Sequence, residues 1–514
     1  MYRMAIAITV VWAIAGSSPA IAQNIALTVR TESGLVSGNG NEIRAFRGIP
    51  YAAAPIGDLR WRAPRPAPAW QGVRDGSTFG PDCVQPSYYP ELRGTGQSED
   101  CLTLNVWTPA KQTREALPVM VWIYGGGFIS GSGSHPSYEG MSLAGHGVVL
   151  VTLNYRMGLF GFMAHPALTA ESPSNASGNY GLMDQVAALQ WVKRNVVAFG
   201  GDPNRVTVFG QSAGAMSIEA LMTSPLADGL FQQAVLESVG AMRPMSNLNE
   251  AEAFGLQIGE RIEDLRAMTS NALVQRLKEL LKPERDVTAR RILGTIVDGY
   301  VIPRADYVAF SNGEFRAIPL IVGSNANEGA ALAGNISIDT QAAYKNYLAR
   351  NFPNAADKAE VVYPVESDGD VRRQIDLLFG DTQFNYGTRD LLRFATARQP
   401  KTYRYLFTRG RNGTTAEPTH GDELQYVFGT LDAEHKGKRK PFNDGDIFVS
   451  AQMQNAWVNF AKTGDPNGGD LPKWPPYEAK SEPYLNFGTK IVVGSGSRAE
   501  QLDFIAAYYA SLRH

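Results

Sequence analysis

Short, unbroken apolar runs recur along the chain, at Val119–Tyr124, Val148–Leu153, Val206–Phe209, Gln233–Leu236 and Ile318–Val322. A strand with one wet face alternates polar and apolar residues, whereas a strand covered on both faces does not. These runs therefore predict a mostly parallel sheet buried between helices. Helical periodicity separates them, most clearly over Gly181–Val197, where Leu182, Val186, Leu189 and Val192 share a face. Strands alternating with helices define an α/β architecture. Upstream, the Gly- and Thr-bearing stretch Asn24–Arg47 predicts a β meander. Downstream, charged helical patterns dominate from Asn247 to Arg291 and are expected to cover the mouth of the site. The length alone suggests about three domains. Yet the chain has no long Pro/Ser linker, no repeat and no break in composition, so residues 23–514 are expected to form one domain.

The first residues have a different pattern. Arg3 precedes an apolar run from Met4 to Ala15, and Ala20-Ile21-Ala22 follows. This is the layout of a signal peptide spanning 1–22 and cleaved after Ala22. The run is well short of the roughly 20 residues that span a bilayer, so no membrane anchor is expected and the product is secreted or periplasmic. A formal charge of −2, from 48 basic and 50 acidic residues, points away from nucleic acid and from polybasic membrane contact. Cys83 and Cys101 are the only cysteines, an even count in an exported chain, and so predict a disulfide and not a metal site.

The sharpest chemical signal is Gly210-Gln-Ser-Ala-Gly214, lying between the apolar run 206–209 and a helical pattern that stops near Pro225. G-x-S-x-G between strand and helix is a nucleophile elbow. The turn is tight enough to need glycine on both sides, and it lifts the Ser212 hydroxyl clear of the backbone. A serine nucleophile also needs donors for an oxyanion. The run Val121-Trp-Ile-Tyr leads into Gly125-Gly126-Gly127, whose backbone can turn N–H groups toward one point. Gly126, Gly127 and Ala213 are the three candidate donors. The base is sought among six histidines. His420, in Thr419-His-Gly-Asp-Glu423, stands C-terminal to the serine between a strand-like run (Tyr403–Phe407) and a helix start, which suits the role. His435 lies in a basic, solvated run, and His135 and His165 each precede proline. For the orienting acid, Asp298 and Glu328 compete. Glu328 follows the apolar run 318–322 in a glycine-bounded turn and is preferred, because Asp298-Gly299 is more simply a turn pair.

With these pieces in place the chain resembles the type-B carboxylesterases, the family of cholinesterases, bacterial esterases and the non-enzymatic neuroligins. The resemblance covers nearly all of 30–510. It is carried by Phe46-Arg-Gly-Ile-Pro-Tyr-Ala52, Ser98-Glu-Asp-Cys-Leu102, Asn154-Tyr-Arg-Met-Gly158, Ala198-Phe-Gly-Gly-Asp-Pro203, Phe460-Ala-Lys-Thr-Gly-Asp-Pro-Asn467 and Trp474-Pro475. It implies an α/β-hydrolase fold with large lid insertions and a triad of Ser212, Glu328 and His420. It further implies oxyanion donors at Gly126, Gly127 and Ala213, a Cys83–Cys101 disulfide, an Arg60–Glu99 ion pair, and Ser238 supporting Glu328. The implied activity is hydrolysis of a small-molecule carboxylic ester through an acyl-enzyme, with no metal and no cofactor. A neuroligin-like binding protein is the alternative, and such proteins lose the serine or the histidine. An amidase or lactonase would use the same triad. Two positions depart from the pattern. Gln211 stands where glutamate is common, and Val239 follows Ser238 where glycine is usual. With neutral Gln211, and with Tyr88 and Tyr89 but no tryptophan between the cysteines, a cationic substrate is not expected.

Overall fold

The computed structural model describes residues 27–86, 92–280, 286–291, 293–432 and 441–513. The leader at 1–22, Tyr88, Tyr89 and His435 lie outside the described residues.

The fold is organised by one ten-stranded sheet. Its first five strands are β1 (Arg44–Pro50), β2 (Thr103–Thr108), β3 (Leu117–Ile123), β4 (Val149–Leu153) and β5 (Gly201–Gln211). The other five are β6 (Gln233–Glu237), β7 (Leu320–Asn325), β8 (Thr402–Phe407), β9 (Pro483–Phe487) and β10 (Ile491–Ser495). Across the sheet they run β10-β9-β8-β7-β6-β5-β3-β4-β2-β1. Strands β3 to β9 are parallel, and antiparallel partners close both edges. Every residue of β4 and β7 is buried, which is why their sequences show no alternation.

The expected N-terminal meander forms only in part. Thr28–Arg30 and Leu35–Ser37 make the antiparallel pair, but Val73–Asp75 extends it in parallel. The third run of the segment becomes β1 and joins the large sheet instead.

Helices cover the sheet. Helix α1 (Tyr180–Asn195) packs on β5, and α2 (Ala213–Thr223) packs on β3, β5 and β6. The expected charged helices are α3 (Leu248–Ile258), α4 (Ile262–Ala267) and α5 (Ser270–Leu280). Later come α6 (Val371–Gly380), α7 (Tyr386–Thr396), which packs on β7 and β8, and α8 (Asp444–Thr463), which packs on β3 and β5.

The insertion holding α3 to α5 is fastened through a buried ion pair. Arg60 Nε donates to Glu99 at 2.7 Å, and Arg60 Nη1 donates to the carbonyls of Arg266 and Met268 at 3.0 and 2.9 Å. Ser270, at the start of α5, donates to the same Glu99 carboxylate at 2.7 Å. Next to it, Cys83 and Cys101 form a disulfide, buried at both ends. Among the described residues no helix is long and apolar enough to cross a membrane.

Candidate active site

The carboxyl ends of β3, β5, β7 and β8 meet on one edge of the sheet, where parallel sheets present their reactive groups. Ser212 sits at the end of β5, directly before α2. Its backbone is at φ 56° and ψ −122°, a strained conformation for a residue with a side chain. Glycine is dictated on both sides by packing. A Cβ on Gly210 would stand 2.6 Å from the Ile123 carbonyl oxygen, and one on Gly214 would stand 1.9 Å from the same atom. The elbow therefore presses its backbone against the end of β3. The Ser212 N–H is satisfied by the Glu237 carbonyl at 2.9 Å, tying the turn to the end of β6.

The chain leaving β3 turns sharply through glycine. Gly126 has φ 106° and Gly127 φ 66°, and a Cβ on Gly126 would fall 2.0 Å from the Ser130 carbonyl. A side chain at Gly125 would meet the Ser212 Cβ at 2.8 Å, so this loop lies directly beside the serine. Among the described residues, the N–H groups of Gly126, Gly127 and Ala213 donate to no other backbone carbonyl or side chain.

The loops after β7 and β8 are stitched together. Asn327 N–H donates to the Pro418 carbonyl at 3.0 Å, and Asn325 Nδ2 donates to the Thr419 carbonyl at 2.7 Å. This brings His420 Nδ1 to 2.6 Å from Glu328 Oε2. The other carboxylate oxygen, Oε1, accepts from Ser238 Oγ and from the Asn325 N–H, each at 2.6 Å. Glu328 is buried and held at three points, so its orientation is fixed. Asp298 is used differently: its Oδ1 accepts from the N–H groups of Tyr300 and Ile302, bracing the 298–302 turn.

Further residues build this site that no motif announced. Phe384 stacks on the His420 ring, centroids 4.3 Å apart, from a π-helical turn at Asp381–Asn385 between α6 and α7. Gln211, already singled out in the elbow motif, places its Nε2 3.0 Å from His420 Nε2. Beneath Glu328 lie two more buried carboxyl groups. Burial pushes Glu237 up to about 8, although Trp457 Nε1 donates to it at 2.8 Å. Glu423, which accepts from Asn325 Nδ2, is raised well above the usual carboxyl range by burial and then by the charges of Glu237 and Glu328. Glu423 stands three residues after His420, so its position in Thr419–Glu423 was the one available signal; for Phe384 there was none. The described residues contain no cluster able to hold a metal ion.

The model of the carboxylesterase family matches residues 26–505, and the chain belongs to that family. It is a carboxylic-ester hydrolase. Among its relatives, a fumonisin B1 esterase of Sphingopyxis macrogoltabida is 46% identical over 477 residues, covering 91% of this chain and 88% of the relative. A para-nitrobenzyl esterase of Bacillus subtilis is 35% identical over 496 residues, covering 92% and 97% respectively. A solved structure of a PNB esterase superposes with a TM-score of 0.82 at 33% identity, covering 93% of this chain and 99% of that one.

Proposed function

We propose that Ser212, His420 and Glu328 act as a nucleophile, base and orienting acid in the hydrolysis of small-molecule carboxylic esters through an acyl-enzyme. The reading rests above all on the 2.6 Å contact of His420 Nδ1 with a triply held Glu328, at the strand ends that carry Ser212. With Nδ1–H directed at Glu328, the ring presents a lone pair at Nε2. That lone pair takes the Ser212 proton as Oγ bonds to the ester carbonyl carbon. The oxyanion is received by the N–H groups of Gly126, Gly127 and Ala213. When the C–O bond to the alcohol breaks, His420 returns the proton to the leaving oxygen. Water then repeats the sequence on the acyl-serine and releases the acid. Beyond the ester and water, the steps use side chains and backbone of this chain.

The chain enters an export route with residues 1–22 removed, and 23–514 works as one catalytic unit. The buried disulfide supports an oxidising destination. Fumonisin B1 and p-nitrobenzyl esters, the compounds after which the relatives are named, are the first substrates to try on this chain. An alkyl fluorophosphonate tests the nucleophile. The expected result is stoichiometric inactivation with the adduct mapped by mass spectrometry to Ser212. An adduct on another residue, or full activity after labelling, overturns the assignment.

A further inference from the structure

The base at the centre of the site is bonded to a residue other than the serine. Gln211 ends β5, opposite Glu237 in the β5–β6 register, and is only 5% exposed. Its Nε2 lies 3.0 Å from His420 Nε2. An amide nitrogen can only donate, so a proton on His420 Nε2 would set donor against donor. The contact is therefore an N–H of Gln211 directed into the lone pair left when Nδ1 faces Glu328 at 2.6 Å. Ser212 Oγ has no comparable partner: among the described residues it makes no hydrogen bond. The lone pair assigned to the serine proton is held by the adjacent amide.

Three neighbours keep these two groups facing each other. Gln211 Oε1 stands 2.8 Å from where a Cβ on Gly125 would be, so the glycine there makes room for the amide. Gly421, at φ 85°, would place a Cβ 3.7 Å from Gln211 Nε2, in ordinary contact with it. Phe384 stacks on the His420 ring at 4.3 Å and fixes its plane. The ring is thus gripped at Nδ1, at Nε2 and on one face. A carboxylate in place of the amide has acceptor oxygens only and would meet the lone pair acceptor against acceptor. The contact is a property of glutamine at this position.

We infer that Gln211 is a positioning residue that caps the base, and that Ser212 Oγ has to displace its amide before acylation. The inference rests on the assignment of Ser212 as nucleophile and His420 as base. Only molecules in which the amide has let go can acylate, so the cap lowers the rate at which Ser212 is acylated. One neutral hydrogen bond of ordinary strength corresponds to about three- to tenfold in that rate.

Two measurements test it. Nitrogen NMR of protein labelled in its histidine rings reads whether Nε2 accepts a hydrogen bond, because a donor moves an unprotonated ring nitrogen upfield. His420→Gln, by losing the signal, identifies the resonance. Ser212→Ala should leave that resonance at its wild-type position. Gln211→Met, of similar size and without a donor, should move it downfield. The second measurement is the second-order rate constant for labelling of Ser212 by an alkyl fluorophosphonate. It should rise about three- to tenfold in Gln211→Met. Damage to the elbow would lower that rate, so a rise is not a packing effect. Movement of the resonance in Ser212→Ala, no movement in Gln211→Met, or a labelling rate unchanged or lowered in folded Gln211→Met overturns the inference. If Gln211→Met fails to fold, the Ser212→Ala spectrum decides alone. Labelling of a residue other than Ser212 would instead remove the nucleophile assignment beneath it.

Discussion

Gln211 Nε2 lies 3.0 Å from His420 Nε2, the ring nitrogen left free when Nδ1 is engaged by Glu328. The amide is therefore a neutral neighbour at the atom we propose to receive the serine proton, and the residue sits immediately before that serine. A carboxylate at this position would add a negative charge within reach of a substrate cation; the amide adds none.

The consequence for selectivity is direct. Butyrylcholine and its uncharged isostere, 3,3-dimethylbutyl butyrate, share an acyl group and differ in charge. The wild-type enzyme is expected to have the higher kcat/KM for the neutral ester. Gln211→Glu should move the ratio toward the cation by about three- to tenfold, the size of one screened charge interaction near a surface. A wild-type preference for butyrylcholine would contradict the account.

The choice of acid can be decided by two isosteric changes. Glu328→Gln keeps the shape but loses the charge facing His420 Nδ1, and kcat/KM for p-nitrophenyl butyrate should drop by more than about 10²-fold. Asp298→Asn disturbs the 298–302 turn and its contact with Asn179, and should cost less than about tenfold in the same assay. The reverse ranking would assign the acid to Asp298.

The disulfide constrains a short loop beside the Arg60–Glu99 pair. Chain entropy gives it about 3 kcal/mol. Cys83→Ser/Cys101→Ser should therefore melt several degrees below the wild type by calorimetry while the folded protein retains hydrolysis. Identical melting curves with and without reductant would show that the bridge contributes nothing.

Burial of Glu237 makes stability depend on pH. Its carboxyl, pushed up to about 8 from an ordinary 4.5, keeps its proton in the folded chain at pH values where the unfolded chain has lost it. The folded state then binds more protons. Stability from this group is fully present below about pH 4.5 and is lost progressively as pH rises toward 8, at up to about 1.4 kcal/mol per pH unit. Glu423 and the buried Tyr405 hydroxyl face it and share the same apolar surroundings. Glu237→Gln, which can still accept from Trp457, should flatten the fall in melting temperature between pH 5 and 8. An unchanged slope would mean that Glu237 is not the titrating group.

What could be read in the sequence follows from where each residue is buried. β3 to β7 were legible because strands covered on both faces carry apolar runs, whereas β8 showed only as a strand-like run that Arg404 interrupts. β1 was not legible, because Arg44, Arg47 and Gly48 interrupt it at the sheet edge. Nor was β10, whose Val492 and Val493 are exposed. The site followed the same logic. Ser212 and Glu328 lie just beyond apolar strands, and His420 lies in the loop between β8 and a helix start, so a local pattern marked each. Phe384 comes from a π-helical turn with no strand signal; only tertiary folding brings it onto His420, and periodicity carries no information about that.

The central claim is that Ser212 Oγ is the attacking atom, and kcat of Ser212→Ala on p-nitrophenyl butyrate tests it most directly. Removing the hydroxyl leaves the elbow packing untouched, so the variant should fold with an unchanged melting temperature and lose more than about 10³-fold in kcat. A folded Ser212→Ala enzyme that keeps a tenth of wild-type kcat would contradict the account.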